Sequence, residues 1–220
     1  MEHYGPMLAT RNMLQILDAQ PPAHRDPCRV SHRRAWRRNR ASPHQQCANS
    51  KGRNETGTAL IGGPFTLVDQ NGKTVTDRDF RGKYMLIFFG FTHCPDICPA
   101  ELQVMSAALD ALGPKAAEVA PIFVTLDPGR DTPETVGAYV KSFGNNFVGL
   151  TGSQAEIDSA AKAYRVTHQK SEYKGKDGNY GYSIDHSALV YLMDRDGKYL
   201  THFAYGTPAA KVTETMRRYL

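Results

Sequence analysis

Cysteine is scarce in this chain of 220 residues, which holds four: Cys28, Cys47, Cys94 and Cys98. A disulfide scaffold shows more cysteines in a shorter chain, so the sequence does not read as one. Tryptophan is scarcer still, with Trp36 alone. No stretch of about 20 apolar residues occurs, so the chain as written carries no membrane span. Residues 1–58 also lack the apolar segment of a secretory signal, so no anchor or signal is visible. Excess charge is missing from most of the chain as well. The formal net charge is +5, but residues 1–56 hold ten Lys/Arg against four Asp/Glu, and the remainder holds 17 against 18. The larger part is therefore near neutral and gives no electrostatic case for binding nucleic acid.

Residues 1–58 differ in character from the rest of the chain. Arg33, Arg34, Arg37, Arg38 and Arg40 cluster among Pro, His and Gln, with little apolar periodicity. Low hydrophobicity with like charge predicts a disordered basic tail, a solvated arm in preference to a binder of anionic surfaces. Cys28, His32, His44 and Cys47 make a loose set of potential metal ligands, without the tight Cys-x2–4-Cys half usual in zinc sites. A misassigned start codon or reading frame is the other account of this region. Hydrophobic content of 40% supports a real core, expected in a single domain over residues 59–220, with no internal repeat.

The stretch that organises this domain is 84–99, YMLIFFGFTHCPDICP. Its first eight residues are apolar and aromatic and read as a strand. Continuous apolarity, instead of alternation, predicts that both faces are covered. The group Ile87, Phe88, Phe89 and Phe91 is therefore assigned to the core. Cys94 and Cys98 follow at the C-terminal end of the strand, where open α/β sheets place their chemistry. Pro99 suits the first position of a helix over 100–112, whose apolar stripe is Leu102, Met105, Leu109 and Leu112. Cys98 would then lie at the helix N-terminus, where the dipole lowers a thiol pKa. Four residues of helical rise is roughly 6 Å, a separation that a disulfide accepts. The same spacing also presents two thiolates to one metal ion and does not choose between the two.

The rest of the domain alternates. Asn71-Gly72 joins two short strands, 65–68 and 73–76, as a hairpin, and 77–80 makes a short helical turn. A second buried strand spans 119–126. Thr132 and Pro133 cap a helix to about 143, and 147–150 is a strand. Ser153-x-x-Glu156 is a capping box for a helix through 164. Residues 171–181 form a hairpin or excursion. Strands at 188–193 and 198–203 form a hairpin, and Thr207-Pro208 opens a last helix. A βαβ core with cysteines at a strand-to-helix turn, closed by an antiparallel ββα, predicts an α/β thioredoxin-like fold with an added N-terminal β-hairpin.

Gly63-Pro64-Phe65, residues 79–83, residues 88–99, Asp127-Pro128, residues 130–133, Asp185-His186-Ser187 and Met193-Asp194 together resemble the Sco/SenC family. Its members are copper-binding, thioredoxin-fold proteins that assist cytochrome c oxidase assembly. The likeness spans roughly residues 61–220. It implies that Cys94 and Cys98 are thiolate ligands of copper and His186 its imidazole ligand, with one copper, Cu(I) or Cu(II), per chain. Soft thiolates suit Cu(I), and an added imidazole makes the set acceptable to Cu(II). The resemblance further implies that an acidic group near Asp127 and Asp131 modulates the site. A carboxylate there could orient His186, or Asp127 caps a turn and Asp131 a helix end. His93, His168 and His202 are expected to be bystanders.

Two functions compete on these residues. One is a metallochaperone that delivers copper to the CuA centre of cytochrome c oxidase. The other is a thiol–disulfide oxidoreductase that cycles Cys94 and Cys98. A static disulfide in a binding module is the bland third reading. His186 has no needed role in dithiol exchange, and redox enzymes more often use Cys-x2-Cys, so the first is preferred. By resemblance, the partners are the oxidase subunit carrying CuA and an upstream copper donor or thiol reductant. The location implied is the periplasmic face of a bacterial inner membrane, although family members typically carry an anchor at the position where this chain is Arg-rich.

Overall fold

The computed structural model describes residues 60–174 and 180–220. The expected basic tail, with Cys28, His32, Trp36, His44 and Cys47, lies outside them. The described chain is built on a seven-stranded sheet, and each strand's place follows from its sequence. The hairpin β1 (Thr66–Asp69) and β2 (Thr74–Thr76) turns as expected at Asn71-Gly72. Gly72 sits at φ +78°, which glycine adopts at little cost. The Asp69 carboxylate accepts from the backbone N–H of Asn71 and Lys73, closing the turn. A single 3₁₀ turn, Asp77–Phe80, leads into β3 (Tyr84–Gly90).

Strand β3 is central. It pairs in parallel with β4 (Val119–Thr125) and antiparallel with β8 (Leu189–Met193). Beyond β4 lies β5 (Val148–Thr151), which also pairs with β1, and beyond β8 lies β9 (Tyr199–Ala204). The order is β2-β1-β5-β4-β3-β8-β9. Residues from Met85 through Phe91 are nearly or fully buried, apart from the glycine's missing side chain. Successive side chains in a strand face opposite sides. Phe88 meets Phe123 and His186, whereas Phe89 meets Tyr164 and Tyr191. Both faces are covered, which is why the run is apolar without alternation.

The described residues also form four α-helices: α1 (Ile97–Leu112), α2 (Pro133–Lys141), α3 (Gln154–Ala163) and α4 (Ala209–Arg217). The caps on α2 and α3 form as the sequence predicts. Thr132 accepts from Thr135 N–H, and Ser153 and Glu156 form a reciprocal capping box. Helix α1 begins earlier than expected, at Ile97, so Pro99 lies inside its first turn. The first four N–H groups of a helix have no intrahelical partner, so proline costs no bond there. The first i→i−4 bond runs from Ala100 N to Asp96 O. Helix α2 stops two residues short of the expected end, at Lys141.

The excursion is a true hairpin and longer than expected. Strands β6 (His168–Lys174) and β7 (Tyr180–His186) form a two-stranded sheet of their own. His186 is the last residue of β7. The thioredoxin-like architecture with an added N-terminal hairpin therefore stands.

Candidate metal centre

Strand β3 delivers the chain to the site at Gly90. A Cβ built on Gly90 would lie 2.8 Å from Cys98 Sγ, 3.0 Å from the Phe88 ring and 3.1 Å from the Phe123 ring. Glycine is thus required for Cys98 to nest against the strand. Thr92 then anchors the cysteine loop. Its N–H and hydroxyl both donate to the carboxylate of Asp131, at 3.0 and 2.5 Å, and Thr125 Oγ1 donates to the same group at 2.5 Å. Asp131 is fully buried, so these bonds hold the loop to the β4–α2 connection. Asp131 is neither a helix cap nor a contact of His186. The cap is Thr132.

Cys98, within the first turn of α1, is fully buried, and Cys94 is half-buried. The thiols are free. Cys98 N–H points at Cys94 Sγ at 3.4 Å. The imidazole of His186 comes from the far end of the chain, with Nε2 3.6 Å from Cys98 Sγ. Its Nδ1 lies 3.1 Å from the Ser187 carbonyl. A carbonyl can only accept, so Nδ1 carries the proton and Nε2 presents its lone pair to the thiol. The rings of Phe88 and Phe91 pack edge-on against the imidazole.

The thiols are unlike each other. Hydrogen bonding from the Cys98 thiol, and then from backbone N–H groups, lowers the Cys94 pKa to about 5. That same bond, with burial, pushes the Cys98 thiol up. The sequence expectation had Cys98 as the activated thiol at the helix N-terminus. Burial and its role as donor to Cys94 outweigh the dipole. Burial also lowers the His186 pKa, against the opposing bond to Ser187, which keeps the ring neutral near pH 7. The Cys98 proton is therefore contested by a thiolate sulfur and an imidazole nitrogen.

The three predicted ligands form a chain of contacts, Cys94 to Cys98 to His186. Among the described residues, no three His, Cys, Asp or Glu side chains converge as a set that could hold a metal ion. A cleft of about 350 Å³ opens on the site, lined in part by Phe91, Cys94, Ile97, Ile184 and His186. The other described histidines make contacts of their own. His93 lies beside Thr92 and Asp131, His202 bonds to Tyr199, and His168 bonds to Asp158 at 3.1 Å. His168 is nonetheless the cross-strand partner of His186.

Asp127 makes no direct hydrogen bond to His186. Its carboxylate pairs with Arg130 and accepts from the Tyr182 hydroxyl at 2.9 Å. The Ser187 carbonyl accepts from His186 Nδ1 instead. Gly90, Thr92 and Arg130 stood among the residues that carry the family resemblance but were given no role, and Tyr182 was missed altogether. Two buried polar atoms, Arg130 Nη2 and the Tyr139 hydroxyl, have no hydrogen-bond partner among the described residues.

The SCO1/SenC family model matches residues 53–220. A human relative, "Protein SCO1 homolog, mitochondrial", is 41% identical over 169 residues, covering 74% of this chain and 55% of that protein. The chain thus spans about half the length of that relative. The copper-bound structure of ScoI from Bradyrhizobium japonicum is 47% identical, covers 73% of this chain and 99% of that one, and superposes with a TM-score of 0.65. The copper-bound ScoI of Arabidopsis thaliana is 40% identical, covers 72% and 96%, and gives a TM-score of 0.67. A further neighbour, BsSco, is described as having a disulfide switch and as a member of the Sco family of cytochrome c oxidase assembly proteins. It is 27% identical, covers 72% and 92%, and gives a TM-score of 0.56.

Proposed function

The chain belongs to the SCO1/SenC family, and from that premise we propose that it binds one copper ion through Cys94, Cys98 and His186 and serves in cytochrome c oxidase assembly as a copper chaperone for the CuA centre. The observation that carries this is the contact between Cys98 Sγ and His186 Nε2, two groups 88 residues apart in sequence. A half-buried imidazole aimed at a thiol is not required for dithiol exchange, but it is what a metal ligand needs. The donor set fits copper: two sulfurs favour Cu(I), and the nitrogen tolerates Cu(II). A cation between the groups would take over the position that the Cys98 proton now occupies. Closing the set on copper would require the three side chains to draw together, and Cys94 is only partly buried. Three ligands leave one side open for transfer to an acceptor. The relatives with copper bound support the choice of metal.

The place of action in this reading is the periplasmic face of a bacterial inner membrane. A 25% identical relative from Bacillus anthracis is described as a lipoprotein, and no described helix here is long and apolar enough to cross a membrane.

A second reading, thiol–disulfide exchange, has its own observation. Cys94 is the accessible, low-pKa thiol and Cys98 the buried one, the division of labour between an attacking and a resolving cysteine. Copper binding by reduced parent and His186→Ala separates the two. The chaperone reading expects one copper per chain and loss of the thiolate-to-Cu(II) charge-transfer band in His186→Ala. Parent-like copper binding by His186→Ala would remove His186 from the ligand set. No tight copper binding by the parent, with a readily cycling Cys94–Cys98 disulfide, would favour the oxidoreductase.

A further inference from the structure

His186 closes a hairpin that has no ladder to the main sheet, so its position depends on how the hairpin is tied down. One tie is at the base. Ser187 N–H donates to Thr167 O at 3.0 Å, and the hydroxyls of Thr167 and Ser187 lie 2.8 Å apart. A second tie lies upstream on β7, at Tyr182. Arg130 Cζ lies 3.7 Å from the centroid of the Tyr182 ring and Lys170 Nζ lies 3.8 Å from it. Two cations that close to one centroid occupy opposite faces. Cation–π attraction from both sides fixes the ring plane. The ring's hydroxyl donates to Asp127 Oδ1 at 2.9 Å, Arg130 Nε donates to Asp127 Oδ2, and Arg130 Nη1 donates to the Tyr182 carbonyl at 3.3 Å. Tyr182, Asp127 and Arg130 thus form a closed ring of contacts between β7 and the β4–α2 connection, the connection that also holds the cysteine loop through Asp131.

We propose that Tyr182 and Arg130 form a clamp, anchored on Asp127, that positions His186 against Cys98, and that opening this clamp withdraws the imidazole and speeds release of the metal. The proposal rests on the ligand assignment above. Tyr182 and Arg130 are positioning residues, since neither touches a proposed ligand. With Tyr182 freed, the upstream end of β7 loses its bonds to the β4–α2 connection and is left with the packing of Ile184 in the core. His186 can then swing about the Thr167–Ser187 base without unfolding the sheet.

The test monitors removal of Cu(I) by an excess of a chromogenic chelator from the loaded full chain. Variants are Tyr182→Ala, Tyr182→Phe, His186→Ala and the double variant Tyr182→Ala/His186→Ala. Losing a charge-assisted hydrogen bond together with the stack should speed release by about tenfold or more in Tyr182→Ala. Tyr182→Phe keeps the stack and should give about threefold. The double variant should release copper no faster than His186→Ala, because the clamp acts only through the imidazole. In the metal-free protein, amide exchange over residues 180–186 should quicken in Tyr182→Ala while β3 and α1 keep their protection. Parent-like release by both tyrosine variants would overturn the clamp. So would the same acceleration in the His186→Ala background, which would mean general loosening. If Tyr182→Ala does not fold, Tyr182→Phe with and without His186→Ala makes the same comparison. Parent-like release by His186→Ala would instead remove the ligand assignment, and the clamp's role with it.

Discussion

Replacing Gly90 by alanine perturbs the centre through one methyl group. Gly90 is not among the residues at positive φ, so alanine suits its backbone and the effect is purely steric. The new carbon would meet Cys98 Sγ at 2.8 Å and the Phe88 and Phe123 rings at 3.0 and 3.1 Å. Heavy atoms pack best at about 3.5–4.0 Å, so each contact is short by roughly 0.5–1 Å. Both rings are fully buried and cannot move aside. Cys98, near the start of α1, is the partner with most freedom, and it is a proposed ligand. Overpacking of this kind costs about 1–3 kcal/mol, or about 2–12 °C in melting temperature for a domain of this size. Sites of this type need ligands within about 0.5 Å of their working position. Gly90→Ala should therefore weaken Cu(I) binding at least about tenfold, equivalent to about 1.4 kcal/mol. Thermal melting of the metal-free protein and Cu(I) competition with a chelator of known affinity measure the two effects. A variant that melts within about 1 °C of the parent and binds copper equally well would refute the close nesting of Cys98 on the strand.

The thiol asymmetry gives a pH signature in the reduced, metal-free protein. Cys94 is held low, to about 5, so its thiolate is nearly complete at pH 7. Its alkylation rate should rise through pH 4–6 and then level, whereas an ordinary thiol would keep rising towards pH 9. Cys98 should stay unlabelled until denaturation. A Cys94 rate that still climbs above pH 8 would contradict the assigned hydrogen bonding. Asp131→Asn should destabilise the fold by about 2 kcal/mol or more, because an amide offers one acceptor oxygen where the carboxylate serves Thr92 and Thr125. The same variant should expose the cysteine loop to proteolysis. Parent-like stability in a denaturant titration would show that Asp131 does not hold that loop.

Much of this fold was legible in the chain. The apolar run from Met85 to Phe91 declared a doubly covered central strand because no alternation interrupts it. Asn71-Gly72, Thr132-Pro133 and Ser153-x-x-Glu156 marked a turn and two helix starts, since each acts through bonds within a few residues. Cys94 and Cys98 were legible as a candidate site from their place after that strand. The likeness of Asp185-His186-Ser187 to a known family brought His186 into the set. What failed was of another kind. The activated thiol is Cys94 and not Cys98, because burial and the direction of a hydrogen bond outweigh the helix dipole. The group bonded directly to His186 Nδ1 is its own neighbour's carbonyl, and a carboxylate of the β4–α2 connection reaches it only through other side chains. Asp131 and Thr92 sit 39 residues apart in sequence and Tyr182 and Asp127 sit 55 apart, and no local pattern records such pairs. Local spacing determined the elements and paired the cysteines, and the family likeness added His186 as a proposed ligand. Only tertiary packing decided which thiol is buried, which group holds the imidazole and which side chains tie its hairpin down, because burial and long-range hydrogen bonds exist only once the chain has closed on itself.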